Sequence, residues 1–537
     1  MLKNYQEFIP KSYLCLRRYS LAFFKKDLMA GVTVGIVALP LAMAFAMASG
    51  VEPERGLFTA IVAGFIISLL GGSKVQIGGP TGAFVVVVFS VVERHGYDGL
   101  VVATLIAGVL LILMGAFRLG SLIKFVPHPL IVGFTTGIAL VVFSCQMKDI
   151  LGLRMVEVPV HFLEKWQAYF KSAHTFHLTT ASVGIGTVGL IILLKRFVKA
   201  IPWGITSIVI ATAVCWSLHL DIPTIGSRFG QLPKTLPLPY FDFDFGRVIA
   251  VMPDAITIAL LAGIESLLSA VIADTIIGSR HKPNCELIAQ GFANIASMFF
   301  GGMPATAALA RTGTNIKTGA QTPVAGMVHA AVVFLLLYTC SSLVIHIPLA
   351  SLAAILVMVS WHMSELPHFY RLMKTSRSDV VILLTAFFLT VLVDLTVAVE
   401  VGMLLAAFFF MKRMSDVKHV IALDQKHPDR GMEIYKMRGP FFFGVTDRLK
   451  QVVHDMDPPP KIFVLRMKHV PVLDATALQT FRELSDKCAR HQTRLVLTEV
   501  QSEPVEMLNQ YGLGELVDQE ILKPPVPLIK DAENPLA

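Results

Sequence analysis

The chain has 537 residues, of which 54% are hydrophobic and only 16% are charged, whereas soluble domains carry about 25% charged residues. The formal net charge is +8, which could suggest a nucleic-acid partner. However, the basic residues lie in short patches between hydrophobic runs, such as Lys25-Lys26 and Lys195-Arg196. This distribution is typical of cytoplasmic loops in a membrane protein and argues against nucleic acid binding.

The N-terminal segment, residues 1–27, is basic and has aromatic residues between its charges. It is predicted to be an amphipathic segment on the cytoplasmic face of the membrane. No small-residue cleavage site closes the hydrophobic run that follows, so we expect a span and not a signal peptide. The six cysteines show no CxxC or metal-ligand spacing, so we expect no disulfide framework, metal site or cofactor.

Residues 28–411 contain about fourteen mostly apolar runs, which predict a multi-span α-helical membrane domain. The predicted spans are 28–49, 56–71, 79–92, 99–117, 128–147, 178–198, 202–219, 250–276, 285–301, 304–317, 322–341, 344–362, 380–394 and 396–411. An even number of spans places both termini on one side, and the basic patches place that side in the cytoplasm. The sequence therefore predicts a multi-pass protein of the cytoplasmic (inner) membrane.

Two of these spans are short, and each follows a pair of glycines. They are the third span, 79–92, and the tenth, 304–317, so they occupy matching places in two halves of seven. Because each half has an odd number of spans, the two halves are inverted in the membrane. A matched pair of Gly/Pro-interrupted segments is typical of a transporter site built from half-helices. Two ordinary re-entrant kinks are the alternative interpretation.

The start of each short helix is the predicted substrate site, because unpaired backbone amides at a helix N-terminus attract anions. The predicted substrate-binding residues are Thr81, Gly82, Phe84, Thr306, Ala307, Ala308 and Arg311. Arg311 is placed two turns into the second short helix. A charge at membrane depth is costly, so Arg311 should either bind the anion or pair with a structural carboxylate.

One carboxylate lies in the middle of the predicted span 250–276, at Glu265. A lone carboxylate at membrane depth suits proton binding, and Ser269 follows one turn later on the same face. Glu265 and Ser269 are therefore the predicted coupling residues, for a proton or another cation. A permanent structural pair between Glu265 and Arg311 is the alternative.

The chain changes character after the last span. Residues 412–430 are interpreted as a linker, and alternating strand and helix patterns over 431–523 predict a small α/β domain with one sheet. Asp474 is predicted to cap a helix through about Ala489. The proline-rich tail, 524–537, is expected to be poorly ordered. We find no P-loop, nucleotide-binding fingerprint or nucleophile elbow, and so predict no enzyme activity.

Four motifs resemble those of the SulP anion transporter family, in the order in which that family has them. They are the stretches 27–46, 79–84, 265–269 and 310–315. The C-terminal domain resembles the STAS domain of the same family, so the resemblance covers almost the whole chain. It implies fourteen spans in two inverted repeats of seven, a core domain that moves against a gate domain in an elevator-like cycle, and a homodimer.

Within the family, the chain looks most similar to bacterial dicarboxylate transporters, in stretches that include 40–44, 263–268 and 471–475. This implies proton-coupled uptake of succinate, fumarate or aspartate, with a sulfate or bicarbonate transporter as the main alternative and an anion channel as a lesser one. Sodium-coupled bicarbonate members have a hydroxyl where this chain has Leu309, so the resemblance favours a proton over sodium. STAS domains can bind a cytosolic partner. In some of them, a loop Ser or Thr that precedes a helix is phosphorylated, and Thr476 provides the hydroxyl at the matching position. A plain helix first turn is the alternative there.

Overall fold

The computed structural model describes residues 6–17, 19–121, 126–155, 158–159, 161–197, 203–239, 245–393, 395–416, 422–427, 431–439, 441, 449 and 460–521. The chain divides into two compact units, with the boundary between Ala406 and Ala407. The predicted tail, 524–537, lies outside the described residues, as does part of the predicted linker.

The first unit consists almost entirely of helices. They are α1 (Lys11–Leu16), α2 (Leu21–Ala48), α3 (Pro53–Leu70), α4 (Gly82–Ala116), α5 (His128–Cys145), α6 (Met147–Leu151), α7 (Phe162–Lys171), α8 (Leu178–Phe197), α9 (Trp203–Ser217), α10 (Ile225–Phe229), α11 (Val248–Ile277), α12 (Pro283–Phe299), α13 (Leu309–Lys317), α14 (Val324–Val344), α15 (Leu349–Met363), α16 (Leu366–Leu372) and α17 (Arg377–Leu392). The next helix, α18 (Leu395–Asp416), contains the boundary between the two units. Two short strands, β1 (Gly78–Gly79) and β2 (Thr306–Ala307), precede α4 and α13. Within the described residues, eight helices are long and apolar enough to cross a membrane.

Each predicted span coincides with a helix or part of one, although the number of membrane crossings stays a prediction. The spans 79–92 and 99–117 merge into α4, which bends at Gly96, where the backbone is not helical (φ 70°, ψ −178°). The helix of the first predicted span begins earlier than predicted: α2 starts at Leu21, and the Ser20 side chain before it accepts a hydrogen bond from the Phe23 amide at 3.3 Å.

Small residues let these helices pack closely, as is usual between helices in membranes. A Cβ added to Gly291 on α12 would lie 2.5 Å from the carbonyl oxygen of Gly108 on α4, and one added to Gly31 on α2 would lie 2.5 Å from the carbonyl oxygen of Ala325 on α14. Side chains at these glycines would force the helices apart.

The helices of the first unit pack in two groups. Helices α2, α3 and α14 pack together, as do α4, α11 and α12, and α13 contacts both α2 and α11. A second group forms around α15, which packs against α5, α8 and α9, while α17 packs against α5. This arrangement places the start of α4 and the short helix α13 in the first group. The second group contacts the first through α2 and α5.

The second unit contains one four-stranded sheet in the order β3-β4-β5-β6. Its strands are β3 (Ala422–His427), β4 (Met432–Arg438), β5 (Ile462–His469) and β6 (Arg494–Thr498), and its helices are α19 (Ala475–Arg490) and α20 (Ser502–Gln510). The β3–β4 pair is antiparallel and the other two pairs are parallel. β3 falls inside the segment interpreted from the sequence as a linker, because its mixed charged pattern gives little strand signal.

Candidate functional site

Two short strands bring the starts of α4 and α13 together. β1 and β2 pair antiparallel, with Gly78 opposite Ala307 and Gly79 opposite Thr306. A further hydrogen bond of 2.9 Å runs from the Ala308 amide to the carbonyl of the residue before β1. The antiparallel crossing is what two inverted half-helices require, and it fixes the two helix starts side by side.

Neither helix start is capped by a side chain. Thr81 precedes α4 and Ala308 precedes α13, both in extended conformation and both without a side-chain cap hydrogen bond. The first amides of each helix therefore lack an intrahelical partner and carry partial positive charge. An anion between the two starts would accept hydrogen bonds from both. We call residues 79–84 and 306–311 the paired-start site.

Gly79 is required by the backbone and by the space around it. Its φ of +142° is a conformation that residues with a side chain rarely adopt. A Cβ at this position would also lie 2.7 Å from Nη1 and 3.1 Å from Nη2 of Arg311. The glycine therefore allows the arginine to lie directly against the first helix start.

Arg311 joins the two helix starts. Because residues 306–307 form β2 and α13 begins only at Leu309, Arg311 lies in the first turn and not two turns into the helix as predicted. Its side chain is 3% exposed, and Nη2 donates to the carbonyl of Pro80 at 2.5 Å. Nη1 is buried and has no hydrogen-bond partner among the described residues. A buried guanidinium with an unused donor is suited to an anion.

Glu265 lies on α11 beside the first helix start. Its Oε2 accepts a hydrogen bond of 2.9 Å from the Thr81 hydroxyl, which explains why Thr81 does not cap its own helix. Arg311 donates to Pro80, and no salt bridge joins it to Glu265 among the described residues, although the two charges interact electrostatically. The carboxylate therefore contacts the paired-start site through Thr81.

The other predicted residues of the site are all buried. Ser269 is 2% exposed on α11, and its hydroxyl has no hydrogen-bond partner among the described residues. The Thr306 hydroxyl donates to the carbonyl of Ala262 at 2.9 Å, which ties β2 to α11. Thr306 thus contributes a structural hydrogen bond, whereas Ser269 keeps a free hydroxyl one turn from Glu265.

A set of amide and hydroxyl side chains holds the two breaks in place, and the sequence analysis did not identify them. Gln76 donates to the carbonyl of Ser266 at 2.7 Å, and Asn315 donates to the carbonyl of Val75 at 2.8 Å. Asn294 exchanges two hydrogen bonds with Ala305, at 2.9 and 2.8 Å, and Thr312 accepts one from the residue before β1. Polar side chains in apolar segments are the signal that could have found them, since a membrane span leaves extended backbone unpaired.

Apolar side chains close the paired-start site on the side of the second helix group. A Cβ added to Gly82 would lie 2.7 Å from the Met363 sulfur and 3.3 Å from the Phe45 ring. Phe84 is fully buried. Met363 ends α15, which belongs to the second group, so the paired-start site lies between the two helix groups. Sequence reasoning identified Phe84 but neither Phe45 nor Met363, which are distant in the chain.

The predicted regulatory threonine lies in the second unit. Asp474 caps α19 as predicted, by accepting a hydrogen bond from the Ala477 amide at 2.7 Å. Thr476 lies in the first turn of that helix and is exposed. The residue is therefore accessible to solvent, as a phosphorylation site requires.

Two family profiles match the chain. The profile of the sulfate permease family matches residues 24–386, and that of the STAS domain matches residues 425–527. The resemblance to an anion transporter family with a C-terminal STAS domain is thereby confirmed.

Relatives match over most of their lengths. A putative sulfate transporter of Bacillus subtilis, YvdB, is 42% identical over 513 residues, covering 94% of this chain and 96% of that protein. The bicarbonate transporter BicA of a Picosynechococcus strain is 30% identical over 451 residues, covering 78% and 79%.

Two solved structures are similar in fold. That of SLC26A9 has a TM-score of 0.85 at 17% identity and covers 97% of this chain and 92% of its own. The transmembrane domain of a cyanobacterial BicA has a TM-score of 0.63 at 28% identity and covers 71% and 98%. The predicted fold, a multi-span helical transporter with a C-terminal STAS domain, is confirmed.

Proposed function

The chain belongs to the sulfate permease family and is an anion transporter rather than an enzyme, and we propose that it carries a small divalent oxoanion bound at the paired-start site. The observation that carries this proposal is Arg311. Its guanidinium is buried between two uncapped helix starts, and its Nη1 has no partner among the described residues. A free anion would supply the missing acceptors and neutralise the charge.

Sulfate is the first candidate for the anion. The relative at 42% identity is named as a putative sulfate transporter, and others are named as sulfate or bicarbonate transporters. The dicarboxylates preferred in the sequence analysis have no counterpart in these names. They remain the second candidate because the motifs around Glu265 and Asp474 resemble the dicarboxylate branch. Backbone amides and one arginine bind a sulfate and a carboxylate by the same hydrogen bonds.

We further propose that Glu265 takes up a proton as the anion binds. The carboxylate accepts a hydrogen bond from Thr81 at the edge of the site, so an arriving divalent anion would lie close to a second negative charge. Protonation of Glu265 would remove that repulsion. Loading of one species would then favour loading of the other, which is the thermodynamic requirement for symport.

The site also suggests how the anion crosses the membrane. Thr81 and Arg311 belong to the first helix group, whereas Met363 belongs to the second. We propose an elevator-like cycle in which the first group carries the anion past the second. Smooth apolar contacts such as Met363 against Gly82 permit such sliding, since no hydrogen bond has to break there.

Uptake into proteoliposomes tests the proposed function. Purified full-length chain would be assayed with labelled sulfate, succinate and bicarbonate, each with and without an inwardly directed proton gradient. We expect sulfate to accumulate above its equilibrium level only with the gradient. Accumulation of succinate alone would replace sulfate by a dicarboxylate, and gradient-independent downhill flux of all three would contradict the transporter mechanism in favour of a channel.

Further proposals concern assembly and control. We propose that the protein is a homodimer in the inner membrane, with both termini on the cytoplasmic side. We also propose that its STAS domain is regulated by phosphorylation of Thr476, which is exposed. Phosphate on Thr476 would add negative charge at the start of α19, where the helix dipole favours it. Mass spectrometry of the protein purified from its host would detect that phosphate, and native mass spectrometry would give the number of chains.

A further inference from the structure

A second polar cavity lies apart from the paired-start site. It has a volume of about 240 Å³, and its charged lining is Lys148, Asp149, Lys165 and Arg228. A larger neighbouring cavity of about 820 Å³ shares three of these residues, Lys148, Asp149 and Arg228. None of the paired-start residues lines either cavity. We call the smaller one the lysine cavity.

The lysine cavity has more positive than negative charge. Asp149 pairs with Arg228, at 3.4 Å. Among the described residues, the Lys148 ammonium donates only to a backbone carbonyl, at 3.3 Å, and the Lys165 ammonium only to the Cys145 sulfur, at 3.1 Å. Two lysines therefore have no carboxylate partner among the described residues, although they share a small cavity.

Lys165 is the more telling of the two because it is 1% exposed. A buried ammonium without a counter-charge is costly. It lies at the C-terminal end of α5, where Trp166 and Tyr169 also bond to Ser144. The partial negative charge of a helix end, about half an elementary charge, compensates one ammonium only in part, and Lys148 shares the negative charge of Asp149 with Arg228.

We propose that the lysine cavity is a second anion site, which takes the same class of small divalent oxoanion as the paired-start site. Its ligands would be the ammonium groups of Lys148 and Lys165, and Arg228, which also lines the cavity, would add positive charge nearby. The choice of ligand rests on the proposed function, whereas the existence of an anion site rests on the unmatched lysines. The Lys165 ammonium also lies 5.3 Å from the ring of Phe89, on the helix that starts at the paired-start site. An anion bound to Lys165 in the lysine cavity would therefore be separated from α4 only by the Lys165 ammonium and the Phe89 ring.

Cys145 provides a reporter, since it lines the cavity and is partly exposed. A variant that keeps only Cys145 would have Cys15, Cys215, Cys285, Cys340 and Cys488 replaced by alanine. In nanodiscs, both faces of this variant are open to small thiol reagents. We expect a negatively charged methanethiosulfonate to react about tenfold faster than a positively charged one of similar size, after correction for their rates with a free thiol.

Sulfate should slow this modification, and the protection should persist in the Arg311→Gln variant, in which the paired-start site is weakened. Lys148→Gln and Lys165→Gln should remove both the charge preference and the protection. Lys171→Gln, at the exposed end of the same α7 helix, should change neither. Equal rates for the two reagents, or rates that do not respond to sulfate, would overturn the second site.

Equilibrium binding of labelled sulfate to the unmodified protein gives a second measurement that needs no cysteine replacement. We expect two sulfates per chain, reduced to one by Arg311→Gln. One sulfate per chain that Arg311→Gln abolishes would disprove the lysine cavity while leaving the proposed function intact. One sulfate that Arg311→Gln leaves unchanged would instead disprove the paired-start site.

Discussion

The two helix starts of the paired-start site have the same backbone and different side chains. Each helix follows a two-residue strand, and the two strands pair antiparallel. The residue before each helix is extended, and its side chain does not cap the helix. At the first start, Thr81 gives its hydroxyl to Glu265. At the second, Ala308 has no polar side chain, but Arg311 follows in the first turn and reaches back to Pro80.

This difference separates two tasks. In the proposed site, the backbone of both starts would supply amides for an anion, which two inverted halves can do equally. The second start alone supplies a positive charge, and the first start alone connects to a carboxylate. The paired starts should therefore bind the anion together, whereas charge neutralisation should depend on Arg311 and coupling on Thr81 and Glu265.

The largest effect is expected from Gly79→Ala, which disturbs both starts at once. The added methyl would lie 2.7 Å from Arg311 Nη1 at a φ of +142°, so either β1 or the arginine must move. We expect no measurable uptake in proteoliposomes. Gly313→Ala on α13, where a Cβ meets nothing within 4 Å, is the matched control and should keep normal uptake. Normal uptake by Gly79→Ala would mean that the close contact is not needed.

Arg311→Gln tests the charge of the second start. Loss of a charge-assisted hydrogen bond costs about 1.5–3 kcal/mol, which corresponds to a rise in KM of about tenfold to a hundredfold. Lys317→Gln removes a charge from the exposed end of the same helix and should leave KM unchanged. A normal KM in Arg311→Gln would remove the arginine from the anion site.

Glu265→Gln tests coupling at the first start. The amide cannot take up a proton, so a pH gradient should no longer drive accumulation, while exchange of internal for external anion continues. Glu400→Gln, on the exposed face of α18, should accumulate anion normally. Gradient-driven uptake at the normal rate in Glu265→Gln would contradict the coupling role.

Thr81→Val should give a smaller effect, because it removes only the hydroxyl that joins the first start to Glu265. A single hydrogen bond contributes about 0.5–1.5 kcal/mol, so KM and the pH for half-maximal uptake should shift without loss of transport. Thr81→Ser retains the hydroxyl and should behave as the unmodified protein. The same shifts in Thr81→Ser would show that the hydrogen bond is not their cause.

The smallest effect is expected away from both starts, at the cap of α19. Asp474→Ala should reduce the stability of the STAS domain by about 1 kcal/mol, since a helix cap is lost. Denaturant titration of the full chain, followed by a probe in that domain, would measure the change. Uptake should be unaffected. A large loss of uptake would contradict this expectation and would indicate that transport depends on the stability of the STAS domain.

Much of this arrangement could be predicted from the sequence. Gly/Pro interruptions before 79–92 and 304–317 mark both breaks, because paired glycines and a nearby proline disfavour a continuous helix. The position of Glu265 in an otherwise apolar run marks the carboxylate. The exact helix starts could not be predicted, because strand pairing between β1 and β2 involves residues more than 200 positions apart in the chain.

The partners of the site were harder to predict for the same reason. Gln76, Asn294 and Asn315 hold extended backbone in place, but each looks like an isolated polar residue in the sequence. Met363 and Phe45 close the site only because distant helices pack there. Local pattern therefore located the breaks, whereas the contacts across the site depend on tertiary structure.

The account rests on one anion bound between two helix starts. The most direct test is an electron cryomicroscopy structure determined with saturating sulfate. We predict tetrahedral density within hydrogen-bonding distance of the first amides of α4 and α13 and of Arg311 Nη1. Density confined to the lysine cavity, with the paired starts empty and Arg311 Nη1 turned towards protein groups, would contradict it.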